Sequence, residues 1–288
     1  MAKRKRPFPS GQAIKHPSGA PPAGAGPDAP VAAKSGHGAG PAYWIYGTHA
    51  VLAAVDNPAR RIRRLLLTRE AASGLRRPTR PGPRAEIVDR AVIDRAVAAG
   101  SVHQGIAALA EPLREDDLDE ALDRLADVAS ATILLLDQVT DPQNVGAVLR
   151  SAAALGAAAV VVPRHHAPPV TGALAKAASG ALEHVALVRV GNIAQAIDRL
   201  KESRFWCVAL DGAAEQELSS IDLAGRVALA LGAEGAGLRR LTRERCDLAA
   251  RLPTAGPIAH LNVSNAAAVA LYECARQRGA AVKGGTKK

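Results

Sequence analysis

Three stretches of this chain gather polar residues at the ends of short apolar runs, which is where open α/β sheets bind their ligands. The first is Leu136-Asp137-Gln138-Val139-Thr140-Asp141-Pro142-Gln143-Asn144-Val145-Gly146-Ala147-Val148-Leu149-Arg150, which closes the apolar run Thr132–Leu136. Asp141 suits a helix N-cap, Pro142 the first helical position and Gly156 a C-terminal stop. Asn144 then falls in the first turn, beside backbone N–H groups that can hold an anion. Arg150 lies deeper in the helix, and its long side chain leans back toward the N-terminus, so both can serve one site. A capped helix with a surface arginine accounts for the same residues.

The second stretch is Leu231-Gly232-Ala233-Glu234-Gly235-Ala236-Gly237-Leu238. Three glycines in six residues mark backbone that turns sharply or approaches a ligand. This is not G-x-G-x-x-G, and a carboxylate inside the loop repels phosphate, so a dinucleotide site is disfavoured. Glu234 suits a hydroxyl, an amine or a cation. The third stretch, Leu252-Pro253-Thr254-Ala255-Gly256-Pro257-Ile258-Ala259-His260-Leu261-Asn262-Val263-Ser264-Asn265, leads into Ala266–Ala268. Asn262, Ser264 and Asn265 can each cap the following helix, although one cap suffices, and the small residues after them let that helix pack closely.

These stretches need a scaffold, and the pattern of the chain supplies one. Residues 1–42 are rich in Pro, Gly, Ala and Lys without apolar periodicity, and form an expected disordered basic tail. Order is expected from Tyr43-Trp44-Ile45-Tyr46-Gly47. A helix over Thr48–Val55, a strand over Ile62–Thr68, a loop over Arg76–Arg84, a helix over Ala85–Ala99 and a strand over Gly105–Ala110 make a small α/β domain, residues 43–112. Residues 113–130 are acidic, with Leu118, Leu122 and Leu125 at helical spacing, and predict a linker helix. From residue 131 to 282 strands and helices alternate: strands over Thr132–Leu136, Ala157–Val162, Val185–Val190, Trp206–Leu210 and Val227–Leu231, helices over Gly172–Ala181, Ile193–Ser203 and Ser264–Arg278. That alternation predicts a parallel, doubly wound sheet. Residues 283–288 form a second basic tail.

Composition narrows the chemistry further. The chain has 288 residues, 48% of them apolar and 2% aromatic, so it can bury a core but offers few rings for stacking on bases. Its formal charge of +10 sits mostly on the tails, with six Lys/Arg and one acid in residues 1–42. Basic tails attract polyanions such as RNA and equally aid solubility. Cys207, Cys246 and Cys274 show no C-x-x-C pair, so neither a zinc site nor a disulfide framework is expected, and a reducing cytoplasm is the natural setting. No apolar run reaches the ~20 residues of a membrane span, and the N-terminus lacks the apolar region of a secretory signal.

Taken in order, N-x-G-x-x-x-R, G-A-E-G-x-G and L-N-V-S-N-A resemble the three motifs of the SpoU/TrmH family, the SPOUT-class RNA 2′-O-ribose methyltransferases. His103-Gln104-Gly105-Ile106-Ala107-Ala108 resembles the end of that family's L30e-like substrate-binding domain. Arg239-Arg240-Leu241-Thr242 and Leu271-Tyr272-Glu273 with Arg276-Gln277-Arg278 resemble members acting on a guanosine of large-subunit (23S) rRNA. The resemblance covers about residues 43–280. It implies a C-terminal sheet threaded into a trefoil knot, a homodimer paired through that domain, and S-adenosylmethionine as methyl donor, with no metal. Donor binding is implied at Leu210, Gly232, Leu252 and Leu261. Catalytic roles are implied for Asn144, Arg150, Glu234, Asn262 and Ser264.

The family's general base falls on Arg150, but a guanidinium holds its proton, which leaves phosphate clamping as its alternative role. The family often has Ser where this chain has His260, and Met where it has Thr254. His260 is open to a packing role, an RNA contact or service as a base, since histidine titrates near neutrality. Besides rRNA methylation, three readings stay in view. A tRNA is one substrate alternative. A nonenzymatic RNA-binding or ribosome-assembly protein is another, disfavoured by the intact Asn144, Arg150, Glu234 and Ser264. A nucleotide-binding oxidoreductase is the last, disfavoured by the missing glycine fingerprint.

Overall fold

Residues 40–75, 82–258 and 260–285 are described by the structure, a computed structural model of the chain. The expected tail over 1–42 lies outside the described residues up to residue 39, as do 286–288 of the C-terminal tail and 76–81 of the Arg76–Arg84 loop.

The first module contains β1 (Tyr43–Tyr46), α1 (Thr48–Asp56), β2 (Ile62–Leu67), α2 (Arg69–Gly74), β3 (Ala85–Ile87), α3 (Arg90–Ala96) and β4 (Ile106–Ala110). Its four strands lie in the order β1-β4-β2-β3, antiparallel except for the β2–β3 pair. The helix expected over Ala85–Ala99 is corrected here. Ala85–Ile87 pairs with Leu65–Leu67 as an edge strand, and the Arg64 guanidinium grips the Glu86 carboxylate across the pair. A helix begins only at Arg90. Three residues are too few to display a period of two, so pairing rather than pattern decides them.

The acidic stretch 113–130 is likewise helical only over α4 (Leu118–Asp123), started by a capping box between Asp117 and Glu120. The expectation of a helix through the whole stretch is therefore corrected. Leu122 is buried beneath the second sheet, with Leu118 and Leu125 packed against the same cluster.

The second module contains β5 (Ala131–Asp137), α5 (Pro142–Ala154), β6 (Ala159–Pro163), α6 (Gly172–Ala178), β7 (Ala186–Val190), α7 (Ile193–Glu202), β8 (Trp206–Leu210), β9 (Arg226–Gly232), α8 (Arg240–Arg245), β10 (Leu248–Ala250) and α9 (Val263–Gly285). All six strands are parallel, in the order β10-β8-β9-β5-β6-β7. Alternation along β5 explains the layering: Leu134 and Leu136 join the core under α5, α6 and α9, while Ile133 and Leu135 join the core under α7. β5 and β9 are central and buried on both faces, as continuous apolar runs in parallel sheets are. The short α8 and β10 escaped the sequence pattern.

A close helix contact orients α5. A Cβ at Gly146 would lie 2.6 Å from Ala177 Cβ and 2.7 Å from the Leu174 carbonyl oxygen, so only glycine lets α5 rest on α6. α9 lays Val263, Ala267, Ala270, Leu271 and Cys274 into the same core, and Gln277 bonds the Leu223 amide and the Ile221 carbonyl at the approach to β9.

The two modules share that core, which runs from Ile45, Val51 and Ile106 to Leu174 and Leu182. They are also joined by a buried ion pair. Arg60 donates to Glu183 at 2.6 Å, with side chains 1% and 2% exposed, and Asn57 Nδ2 donates to the same carboxylate at 2.6 Å. Arg60 also reaches Tyr43 Oη and the Glu111 carbonyl. Burial opposes the charge on Arg60, yet the facing Glu183 carboxylate raises its pKa overall. Nearby, Lys176 of α6 donates to Gln104 Oε1 at 2.7 Å. Among the described residues, no helix is long and apolar enough to cross a membrane.

Glu183→Ala strands the Arg60 guanidinium without its partner and is expected to cost about 3–5 kcal/mol. Replacing both residues with apolar ones of similar volume is expected to restore most of that loss, because no charge is then left buried. Thermal melts of the single and double variants check this; equal melting points for the single variant and the parent chain would contradict it.

Candidate active site

The order β8-β9-β5 brings the carboxyl ends of three strands side by side, and the loops leaving them build the site. After β5, Asp141 caps α5 by accepting the Gln143 amide at 3.0 Å, with Pro142 opening the helix. This places Asn144 in the first turn. After β9, the glycine loop folds back on itself. Gly237 donates to the Ala233 carbonyl at 2.9 Å, Gly235 and Gly237 have φ of 80° and 66°, and a Cβ at Gly232 would lie 2.0 Å from the Gly237 carbonyl carbon. Only glycine fits that return.

Of the three candidate caps of the last helix, Asn262 is the one used. Its Oδ1 accepts from the Ser264 amide at 2.8 Å, the Asn265 amide at 3.4 Å and the Ser264 hydroxyl at 2.6 Å. Its Nδ2 is thereby turned the other way, donating to Glu234 Oε1 at 2.5 Å and to Asn144 Oδ1 at 3.0 Å. Asn144 Nδ2 donates to the same Glu234 oxygen at 3.0 Å. Residues separated by 90 and 118 positions thus meet in a closed triangle. Glu234 Oε2 has no partner among the described residues, and Glu234 is exposed.

Beside this junction lies a cleft of about 400 Å³ walled by Leu210, Leu231, Gly232, Leu252 and Leu261, with Asp211, Arg243, Thr254 and His260 on its sides. All four residues expected to bind a donor line it. Arg150 is placed differently. Six residues of α-helix set it about 9 Å along and about 120° around from Asn144, where it is exposed and makes no hydrogen bond or ion pair with a described residue. His260 is exposed, and a Cβ at Gly212 would lie 3.7 Å from its Nδ1.

One charged group was not singled out from the sequence. Asp137, at the end of β5, is fully buried. It accepts from Arg239 Nε at 2.8 Å, Arg239 Nη2 at 2.7 Å and Thr242 Oγ1 at 2.7 Å. Since Arg239 follows the glycine loop directly, this clamp pins the loop's exit to the strand from which α5 departs. A carboxylate closing an apolar run, with Arg and Thr three residues apart after the loop, was the available signal. None of the three cysteines lines the cleft, and burial pushes the Cys246 thiol up to about 12 and the Cys274 thiol up to about 11.

A profile of the SpoU rRNA Methylase family matches residues 131–272. A second profile, RNA 2′-O ribose methyltransferase substrate binding, matches residues 44–116. The chain is 41% identical over 243 residues to the 23S rRNA (guanosine-2′-O-)-methyltransferase RlmB of Vibrio vulnificus, covering 82% of this chain and 97% of that protein. The chain belongs to the SpoU rRNA methylase family. The Escherichia coli RlmB is 38% identical over 239 residues, covering 81% of this chain and 98% of its own. Among solved structures, the SpoU methyltransferase AviRb from Streptomyces viridochromogenes, in complex with the cofactor AdoMet, superposes with a TM-score of 0.66 at 26% identity, covering 82% and 90% of the two chains. Family membership agrees with the four-stranded and six-stranded α/β modules described above.

Two stability experiments test the junction. Asn262→Ala loses the cap and is expected to cost about 1–2 kcal/mol. Asn262→Asp keeps a good cap but removes both N–H donors and sets a carboxylate against Glu234, so its expected loss of roughly 1–3 kcal/mol reports the triangle alone. An Asp variant as stable as the parent in urea unfolding would contradict the geometry. For the clamp, Arg239→Ala leaves the Asp137 charge buried without a cation, held by the Thr242 hydroxyl, and is expected to cost about 3–5 kcal/mol. Asp137→Ala releases a half-exposed arginine to water and is expected to cost less, about 1–3 kcal/mol; the reverse ranking would contradict the clamp.

Proposed function

We propose that this chain moves a methyl group from S-adenosylmethionine to the ribose 2′-hydroxyl of a guanosine in large-subunit rRNA. The observation carrying this reading is the Asn144–Glu234–Asn262 triangle beside the apolar cleft, which Glu234 lines, in a chain about 40% identical to RlmB enzymes across four-fifths of its length. The cleft fits the donor: its volume falls in the usual range of small-molecule sites, and adenosine needs an apolar slot with a few backbone hydrogen bonds. Leu210, Leu252 and Leu261 would hold the base and ribose, with Gly232 admitting them close to the backbone. When bound, the donor supplies an electrophilic methyl on a sulfonium.

The chain's own task is to place the acceptor hydroxyl and accommodate its proton. Glu234 Oε1 is held by two amide N–H groups, which leaves Oε2 to accept a hydrogen bond from the 2′-hydroxyl and to take its proton as the oxygen is methylated. Asn262 and Asn144 keep that carboxylate in register, and Ser264 steadies Asn262 through its hydroxyl. Arg150, whose guanidinium makes no hydrogen bond or ion pair with a described residue, takes the phosphate beside the target nucleotide in a charge-assisted contact. His260 contributes packing against Gly212. The first module supplies further RNA surface, in keeping with the substrate-binding profile it matches.

A second copy of the chain belongs to this reading. Val269 and Tyr272, one turn apart on α9, are 46% and 60% exposed, and a homodimer through this face would cover them. With an rRNA substrate, the protein would act in the cytoplasm.

Single-turnover methylation of unmodified 23S rRNA separates the roles. Arg150→Ala and Glu234→Gln are each expected to slow transfer by ~100-fold or more while leaving donor affinity nearly intact, and Arg150→Lys is not expected to rescue, because it lacks the planar fork. His260→Ala is expected to be mild. A His260→Ala loss as deep as that of Arg150→Ala, with a rate profile following a group near ~6.5, would make His260 the base. Normal transfer by Arg150→Ala, or tRNA methylated in place of rRNA, would overturn this reading.

A further inference from the structure

The donor cleft carries a charge pattern that its apolar walls do not explain. Arg243 is the sole Lys or Arg among the residues lining it. It projects from α8, and its Nε donates to Asp211 Oδ2 at 2.5 Å. Asp211 directly follows β8 and is itself fixed: its amide donates to the Ala250 carbonyl at 2.9 Å, and its Oδ1 accepts the Ala213 amide at 2.9 Å. The guanidinium is thus held at the wall by one nitrogen. Its two Nη groups have no partner among the described residues, and its side chain is 49% exposed, against 26% for Asp211. Glu234 also lines the cleft, and its held oxygen is already committed to Asn262 and Asn144.

We infer that the Asp211–Arg243 pair reads the amino-acid tail of the donor, with Arg243 taking the α-carboxylate through its free Nη groups and Asp211 facing the α-ammonium. This rests on the donor reading of the cleft given above. The argument is one of charge. A donor with a sulfonium and an ammonium has a single anionic group, which needs a cation on leaving water. The cleft offers one fixed cation, and a guanidinium suits a carboxylate bidentately. An adjacent carboxylate and guanidinium present opposite charges side by side, the arrangement that an ammonium and a carboxylate on one carbon can match. Glu234 stays free for the acceptor hydroxyl, so the tail and the reacting group use different charges of one cleft. Arg243 and Asp211 bind the donor in this account and do not touch the transferred methyl.

Two nucleosides that differ in the tail test this by calorimetry on the full chain, without any turnover. S-adenosylhomocysteine carries both tail charges; 5′-methylthioadenosine keeps the adenosine and sulfur and lacks them. Arg243→Ala is expected to weaken S-adenosylhomocysteine binding by roughly 10- to 100-fold while 5′-methylthioadenosine stays within about twofold. Arg243→Lys is expected to recover part of the loss, since it keeps the charge without the fork. Asp211→Asn is expected to show the same selectivity to a smaller extent. Equal weakening of both nucleosides by Arg243→Ala would mean that the residue shapes the cleft rather than reads the tail, and no weakening of either would mean that it does neither; both results overturn the inference and leave the donor site standing. If the parent chain binds neither nucleoside, the donor reading falls as well.

Discussion

The Asn262 amide accepts at one end and donates at the other, and that division orders the three loops of the site. Three donors from the start of α9 converge on Oδ1, so the amide cannot turn over without orphaning the helix end. Nδ2 is then obliged to point at Glu234 and Asn144. A helix cap worth about 1 kcal/mol in an ordinary protein becomes the link between the end of β9, the start of α5 and the start of α9. The link works only because β9 lies between β8 and β5 and because Gly232 and Gly146 admit backbone and helix at distances that no side chain would allow.

Charge is distributed over the molecule according to burial. Glu183 and Asp137 are almost wholly out of water, and each is satisfied by an arginine from a different part of the chain together with a neutral donor. Such groups are costly to leave unpaired, so they hold parts in place: Glu183 joins the two modules, and Asp137 ties the glycine loop to β5. Glu234 and Arg150 lie at the surface instead, each with unfilled hydrogen-bonding capacity. That is the state expected of groups whose partner arrives with a substrate.

Much of this was legible in the sequence, and the exceptions share a cause. Continuous apolar runs such as Ile133–Leu136 declared buried parallel strands, Asp141-Pro142 declared a helix start, and the glycines of Gly232–Gly237 declared a tight return. Asn144, Glu234 and Asn262 stood out through motif resemblance, and the structure brings them together. Arg150 stood out equally, yet it makes no hydrogen bond or ion pair with a described residue. What stayed hidden was decided by partners far away in the chain. Ala85–Ile87 is a strand because β2 offers an edge, and the acidic stretch is mostly non-helical because Asp117 starts a helix only at Leu118. Asp137 and Arg243 were not marked in the sequence, because the partners that define their roles are 102 and 32 residues distant.

The central claim is that the triangle beside the cleft serves ribose methylation, and a 2′-O-methyl group has a chemical signature that tests it. Alkali cleaves RNA through the free 2′-hydroxyl, so a methylated ribose leaves an uncut dinucleotide. Unmodified 23S rRNA incubated with the protein and methyl-labelled S-adenosylmethionine, then hydrolysed with alkali, is expected to yield label in one alkali-resistant dinucleotide that begins with guanosine. Label confined to alkali-sensitive mononucleotides would place the methyl on a base, and no label at all would mean that the protein does not act on this RNA; either result would contradict the account.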